Sequence, residues 1–376
     1  MPAGAARGVR GGMTRLLLAD PGDLDANAVV PALADRCAAA VVTLTIDVGQ
    51  QAVTAASRAR ALAAGAVRAH VIDAREEFAR GYLLPLLRAG ALRPGDVSRP
   101  RTLLQTLVAT KLLEVAAMEG TALVAHGWER GTAAADHVAR VIARQRPDSV
   151  VVAAGGTGPP VRDSRQPAGP RPVSVESTLW WRVGAEREAR STAAARALHS
   201  AEPAAVLDVT FTEGVPVALN GVEMPLLELI EAAGTIAGDH GVGRVVLSPP
   251  DADGATTTIL EAPAAAVLVA AHTALTRLSA SPLLQRLRRH VAGRYAALLD
   301  AGEWMSDARP ALDAFVAETQ KRVNGSVRLR LRGGRCTVLG RTLTTAGADT
   351  SAARQETSTT GSPAASGAPL GLLVSR

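Results

Sequence analysis

The sequence predicts an α/β protein: a doubly wound parallel-sheet domain followed by a smaller α+β domain. Three observations predict this. Short Val-, Leu- and Thr-rich runs alternate with Ala- and Arg-rich helical patterns from Arg15 to Ala154, as βαβ units do. The alternation breaks at Gly155, where a Gly-, Pro- and Arg-rich connection (GGTGPPVRDSRQPAGPRP, 155–172) begins. Beyond it, hairpin signals and long helical patterns take over. With 376 residues, 47% hydrophobic and 20% charged, the chain is globular and long enough for two domains. Aromatics are only 2%, so the core is built from Ala, Val and Leu.

The elements follow in order. Residues 1–13 are a Gly-, Ala- and Arg-rich lead, expected to be disordered. Arg15–Ala19 is a short apolar run, followed by a turn at Pro21-Gly22-Asp23 and a helical pattern from Asp25 to about Ala39. Ala40–Asp47 (AVVTLTID) has the composition of a buried strand. Val53–Ala64 is helical and stops at Gly65. Val67–Asp73 is the next strand. Asp73 and Glu76 have the spacing of a capping box, opening a helix to about Arg88. Leu103–Glu119 and Ala133–Gln145 are helices, and Ala122–His126 and Ser149–Ala154 are strands. In the second half, Val206–Thr212 and Gly214–Leu219 are strands leading to an Asn220-Gly221 turn. Leu226–Ala237, Ala264–Ala280, Leu283–Leu299 and Ala308–Val323 are helical. Ser326–Leu331 and Arg335–Leu339 form a hairpin over Gly333-Gly334, and 345–376 is a disordered tail. The expected domains are therefore 14–158 and 173–344, joined by a linker at 159–172.

The formal charge is +6, carried almost wholly by arginine, since Lys111 and Lys321 are the two lysines. The densest cluster is Arg328, Arg330, Arg332, Arg335 and Arg341, of which the first four lie in an RLRLRGGR run that alternates like a strand with its arginines on one solvated face. With so few aromatics to stack bases, nucleic acid is not expected as a partner. No apolar run approaches the roughly 20 residues that span a bilayer, so no membrane association is expected. Cys37 and Cys336 are far apart and lack metal-ligand spacing. A reduced, cytoplasmic protein without a metal site is expected. Gly155-Gly156-Thr157-Gly158 runs into prolines rather than a helix and is a weak phosphate signal.

Several stretches, VVTLTIDVGQ (41–50), AVRAHVIDAREEFARGYLLPLLRAGAL (66–92), LVAHG (123–127), EGVPVALNG (213–221), AGDHGVGR (237–244), LEAPAA (260–265) and ALDAFVAETQKRVNGSVRLRL (311–331), resemble the argininosuccinate synthase family. The match runs from about residue 16 to 341. It implies an adenine nucleotide alpha hydrolase-like domain, a synthetase domain, and a C-terminal helix (308–323) that helps build a tetramer. The family's chemistry has two steps. ATP adenylates the ureido oxygen of citrulline with loss of pyrophosphate, and the amine of aspartate then displaces AMP.

The resemblance carries over unevenly at the ligand sites. The family's phosphate loop, AYSGGLDTS, aligns with ADPGDLDAN (19–27): Ala19, Gly22, Leu24 and Asp25 match, and Asn27 keeps a polar side chain. The family's serine is Pro21, which lacks a hydroxyl and an N–H. Its second glycine is Asp23, whose carboxylate would face phosphate. One such repulsion costs about 4 kcal/mol at an effective dielectric near 20, roughly a thousandfold in affinity. At the citrulline positions stand Val97, Arg101 and Gln105, with Ala139 and Arg140 near a family arginine. Ser174 of SVESTLWWRV is kept, Val183 replaces a later serine, and Leu260 replaces a tyrosine beside Glu261. In the aspartate loop Gly127 matches the glycine facing ATP, and Asp136 the aspartate meeting the substrate amine. Glu129 and Ala135 replace a threonine and an asparagine.

The candidate residues are thus Ala19, Gly22, Asp25, Asn27 and Gly127 for ATP, and Asp136 and Ser174 for substrate; no catalytic residue is singled out. Simpler roles compete: Asp136 as a helix cap, Gly22 and Gly127 as turn formers, and His126 as a hydrogen-bonded buried histidine. Of Trp180-Trp181, one ring is expected in the core and the other at a protein contact. The losses gather in the ligand sites while core stretches persist. That pattern favours a non-catalytic or regulatory homologue, as a homotetramer or in a hetero-oligomer with a true synthase. The alternative is an active ATP-dependent C–N ligase on citrulline and aspartate, or on a related amino-acid pair in a specialised pathway. ATP with Mg is the cofactor if the chain is active, and none otherwise.

Overall fold

A computed structural model describes residues 14–20, 26–50, 54–93, 98–155, 176–185, 204–248 and 258–344. The lead (1–13), the 21–25 loop, the linker (159–172), Ser174, Val97 and the tail (345–376) lie outside the described residues.

The first domain is a five-stranded parallel sheet in the order β3-β2-β1-β4-β5. Its strands are β1 (Arg15–Asp20), β2 (Ala40–Asp47), β3 (Arg68–Asp73), β4 (Leu123–Glu129) and β5 (Val150–Gly155). Alternate residues point to opposite faces of a strand, and here each face has its own core. Leu16, Leu18 and Val41 pack under α1 (Ala26–Cys37) and α2 (Thr54–Ala63), against Val30, Leu33 and Ala61. Leu17, Ala19, Val42 and Leu44 face the other side, under α4 (Ser98–Met118) and α5 (Ala133–Gln145). The sheet is therefore doubly wound, as its alternating pattern predicts.

Between β3 and α4 runs α3 (75–89), in which Arg75–Glu77 and Leu84–Ala89 are α-helical and Phe78–Leu83 is wound as a π-helix. The expected capping box is not formed. The Asp73 carboxylate turns to the Arg75 N–H (3.1 Å) and its guanidinium (2.8 Å). Glu76 pairs forward with Arg80 one turn on instead of reaching back. Arg75, two residues after Asp73, offers the carboxylate a charged donor that the capping geometry lacks.

The second domain holds two antiparallel sheets. One has the order β10-β9-β8-β13-β14, built from β8 (Ala205–Thr212), β9 (Val215–Leu219), β10 (Val222–Glu223), β13 (Gly325–Arg332) and β14 (Arg335–Leu343). Along β13 buried Val327, Leu329 and Leu331 alternate with exposed Arg328, Arg330 and Arg332, so the basic residues lie on the solvent face as expected. The inner face packs on α6 (Leu226–Asp239) and α7 (Pro263–Ser279). The other sheet, β11-β12-β7-β6, comprises β6 (Glu176–Ser177), β7 (Arg182–Ala185), β11 (Arg244–Ser248) and β12 (Thr258–Glu261). Its short strands escape the sequence reading because none alternates for long enough to show a period.

Two helices, α8 (Pro282–Asp300) and α9 (Ala308–Gln320), return to the first domain and pack on α3. The helix expected to build a tetramer, α9, buries Val316 and Gln320 against its own chain and leads into the β13–β14 hairpin. Trp180 and Trp181 are both buried, so the expectation that one ring meets another protein is corrected. Trp181 meets Phe78 edge-on at 6.1 Å between centroids. The Thr178 hydroxyl accepts the Trp180 and Trp181 N–H groups, making the tight turn that points both rings inward.

Candidate functional site

In an open parallel sheet, ligands bind beyond the carboxyl ends of the strands where the strand order reverses. That point lies between β1 and β4. The pairing Ala19↔His126 sets Asp20 beside Gly127. The β4–β5 register shifts between His126 and Glu129, so the chain at Gly127-Trp128 bulges at the mouth of the crevice. A glycine there leaves its backbone open to a ligand. The Leu179 N–H donates to the Val48 carbonyl at 2.8 Å, strapping the β6–β7 turn across the end of β2. Gly49, at φ +98°, is needed for that approach, because a Cβ would come within 2.7 Å of the Leu179 nitrogen.

The described candidates are distributed as follows. Ala19 is 1% exposed inside β1, so only its backbone can face a ligand. Asn27 is exposed in the first turn of α1. Gly127 lies at the bulge. Asp136 is exposed in the first turn of α5, where its charge complements the helix dipole. Asp136 is not the cap. Thr132 is, with its hydroxyl accepting from the Ala135 N–H at 3.3 Å. A Thr immediately before an Ala-rich periodic run was the available signal. Gly22, Asp25 and Ser174, like Pro21 and Asp23, lie outside the described residues.

Three further features bear on the chemistry. Asp20, 7% exposed, closes β1 where the family loop has tyrosine, adding a carboxylate immediately before the Pro21–Asp25 stretch. Ala135, in place of the family's asparagine, is buried and offers only a methyl group. Behind it, His137 is held neutral, its pKa lowered to about 4 by burial with help from nearby Arg140. Its Nε2 donates to the Thr106 hydroxyl (2.9 Å), which donates in turn to the Thr102 carbonyl (2.8 Å), pinning α5 to α4. Arg140 does not replace the family arginine. Its guanidinium holds the Asp300 carbonyl at 2.8 Å, at the end of α8.

His126 is 2% exposed, and burial holds its pKa below the ordinary value despite backbone hydrogen bonds at His126 and Trp128. Its ring lies 5.7 Å from that of Trp128. It is buried as expected, but its Nδ1 is shut off from solvent without a hydrogen-bond partner among the described residues. The aspartate loop is shorter than the sequence suggests. Trp128 and Glu129 extend β4, so only 130–132 connect to α5. No group of three or more metal-binding side chains occurs, and no helix is long and apolar enough to cross a membrane, among the described residues.

Comparison with known proteins fits this arrangement. Residues 15–159 match the profile described as the arginosuccinate synthase N-terminal HUP domain, and 188–367 the arginosuccinate synthase C-terminal domain. The chain belongs to the argininosuccinate synthase family. It is similar to the argininosuccinate synthase of Rubrobacter xylanophilus, at 35% identity over 88% of this chain and 86% of that protein. Similarity to the enzyme of Pelotomaculum thermopropionicum is 32%, over 87% and 88%. For Desulfitobacterium hafniense strain DCB-2 it is 30%, over 87% and 88%. The two matched ranges follow the division between the parallel-sheet domain and the domain of antiparallel sheets.

The side chains present do not fit the triphosphate half of ATP. Buried Asp20 stands at the end of β1, and Pro21, without an N–H, and Asp23, with a carboxylate, follow it in the sequence.

Proposed function

We propose that this chain is an argininosuccinate synthase homologue in which the ATP-dependent ligation of citrulline and aspartate is impaired or lost. It serves as a non-catalytic or regulatory subunit. The carrying observation is the run Asp20-Pro21-Gly22-Asp23 between β1 and α1. It puts two carboxylates and an N–H-less residue where pyrophosphate would need donors. Ala135 and the diverted Arg140 weaken the substrate side in the same direction. Arginine biosynthesis is then the pathway of its relatives, and its own place is beside a true synthase, in a homotetramer or mixed oligomer. A soluble, cytoplasmic setting suits that role.

A second reading has one observation in its favour: Gly127, inside β4, and Asp136, in the first turn of α5, survive on either side of the short β4–α5 connection. On that reading the chain is an active C–N ligase using ATP with Mg on a related amino-acid pair. Calorimetric titration with Mg-ATP, with and without citrulline, separates the two. The proposal expects no micromolar binding by the wild type. It also expects a gain of about a thousandfold in Pro21→Ser/Asp23→Gly, from the Coulomb cost of one carboxylate. Tight wild-type binding, or rescue of an arginine auxotroph lacking its synthase at ordinary expression, would overturn it.

A further inference from the structure

Helix α3 contains a proline, and the winding around it is completed from the second domain. Pro85 stands near the start of the α-helical turn Leu84–Ala89. A proline has no N–H to return to the carbonyl four residues back, and in an α-helix its ring crowds that carbonyl. Four residues before Pro85 is Gly81. The chain is wound as a π-helix over Phe78–Leu83, and the Leu84 N–H reaches back five residues to the Ala79 carbonyl. The wider turn relieves the crowding, and the Gly81 carbonyl takes a donor from outside the helix.

That donor is Arg309, in the first turn of α9. Its Nη2 donates to the Gly81 carbonyl at 2.9 Å. The guanidinium is fixed on two further sides. It lies over the Trp304 ring, 4.1 Å from the centroid. Asp313, one turn on along α9, is 3.4 Å from its Nε. Fully buried Trp304 stacks in turn on Tyr82 of the π segment, at 6.1 Å between centroids. The donor is charged and its side chain only 17% exposed, so this bond is stronger than one between neutral groups.

The opposite end of the π segment reaches toward the site. Phe78, its first residue, is buried and meets Trp181 edge-on. Trp181 belongs to the turn whose Leu179 N–H holds the Val48 carbonyl at the end of β2. A π winding and an α winding differ by one residue of register, so exchanging them rotates one end of α3 against the other. An element with two discrete arrangements can carry a change at one end to the other.

We infer that Arg309 is a positioning residue: it locks the π winding and, through Phe78 and Trp181, holds the β6–β7 turn over the carboxyl end of β2. The second domain thereby fixes the chain beside the crevice, whether or not ATP binds there.

The test is hydrogen–deuterium exchange on the full chain, read by mass spectrometry in peptides containing Tyr82–Leu84 and Leu179, with β1 and β13 as references. In Arg309→Met both peptides should exchange about tenfold faster, the loss of one charge-assisted hydrogen bond, while the references keep the wild-type rate. Asp313→Asn keeps the donor and should leave both peptides protected. Pro85→Ala supplies the missing N–H to the Gly81 carbonyl. Arg309→Met/Pro85→Ala should therefore recover protection at Tyr82–Leu84, a rescue that a general packing role for Arg309 does not give. Should Arg309→Met not fold by itself, a folded Arg309→Met/Pro85→Ala is the same rescue. Unchanged exchange at Leu179 in folded Arg309→Met would overturn the inference. So would a rise shared equally by β1 and β13, an equal loss in Asp313→Asn, or no rescue by Pro85→Ala.

Discussion

Removing Glu119 tests how the amino-end edge of the parallel sheet is held. The residue follows α4, and its side chain is 3% exposed. One carboxylate oxygen accepts from Arg68 Nη1 (2.7 Å) and His70 Nε2 (2.8 Å), and the other from Arg15 Nη1 (3.1 Å). Arg15 and Arg68 are 47% and 56% exposed. They can rehydrate when the carboxylate goes, so Glu119→Ala does not strand buried charges, a loss that would cost about 3–5 kcal/mol. The expected loss is about 2 kcal/mol, the range of a hydrogen bond to a charged group after screening of the exposed partners. That corresponds to roughly 4–8 °C in Tm for a domain of this size.

The pH dependence has a definite sign. Burial raises the Glu119 pKa, but the hydrogen bonds from His70 and Arg68 outweigh it and hold the group below its ordinary 4.5. A carboxyl lowered by folding stabilises fully above its unfolded value and loses that contribution as pH falls through the folded value. Urea unfolding of wild type and variant from pH 7 downward should give a constant difference above about pH 4.5 and a shrinking one below it. A variant within 0.5 kcal/mol of wild type (about the scatter of ordinary surface changes), or a difference unchanged into acid, would refute the reasoning.

Other outcomes follow from the same structure. Gly214 sits at φ +74°, and a Cβ there would overlap Gln320 Oε1, so Gly214→Ala should lower stability by about 2–4 kcal/mol in urea unfolding. His137 is neutral in the fold, so wild-type stability should fall as pH drops from about 6.5 to about 4 through this group. His137→Leu should flatten that slope, and an unchanged slope would count against the assignment. Trp181→Ala removes a side chain 2% exposed and should cost about 3–5 kcal/mol by thermal unfolding. A cost under 1 kcal/mol would return that ring to the surface.

Much of the first domain was legible because most of its strands carry short apolar runs and most of its helices have a long enough pattern to show their period. Ala40–Asp47 is buried along seven of its eight positions, as a run of Val, Thr and Leu predicts for a central parallel strand. The four-stranded sheet was not legible. β6 has two residues and β7 and β12 four each, too few for a periodicity. At the site, Gly127 and Asp136 were found through the family resemblance. Thr132 had a local signal in its place just before the Ala-rich run, whereas the diversion of Arg140 to Asp300 had none, because it depends on what the fold brings beside it.

The amino-acid sequence by itself determined the fold class, the family, and the residue types that stand along the 19–27 loop. These depend on residue type and local order, and a proline lacks its N–H in any structure. Tertiary structure alone decided which groups are paired. It sent Asp73 to Arg75 rather than into a capping box, turned both tryptophans inward, and left Arg288 Nη1 without a partner. Hydrogen bonds and ion pairs join groups as far apart in the chain as Arg88 and Gln320, and burial sets their energies.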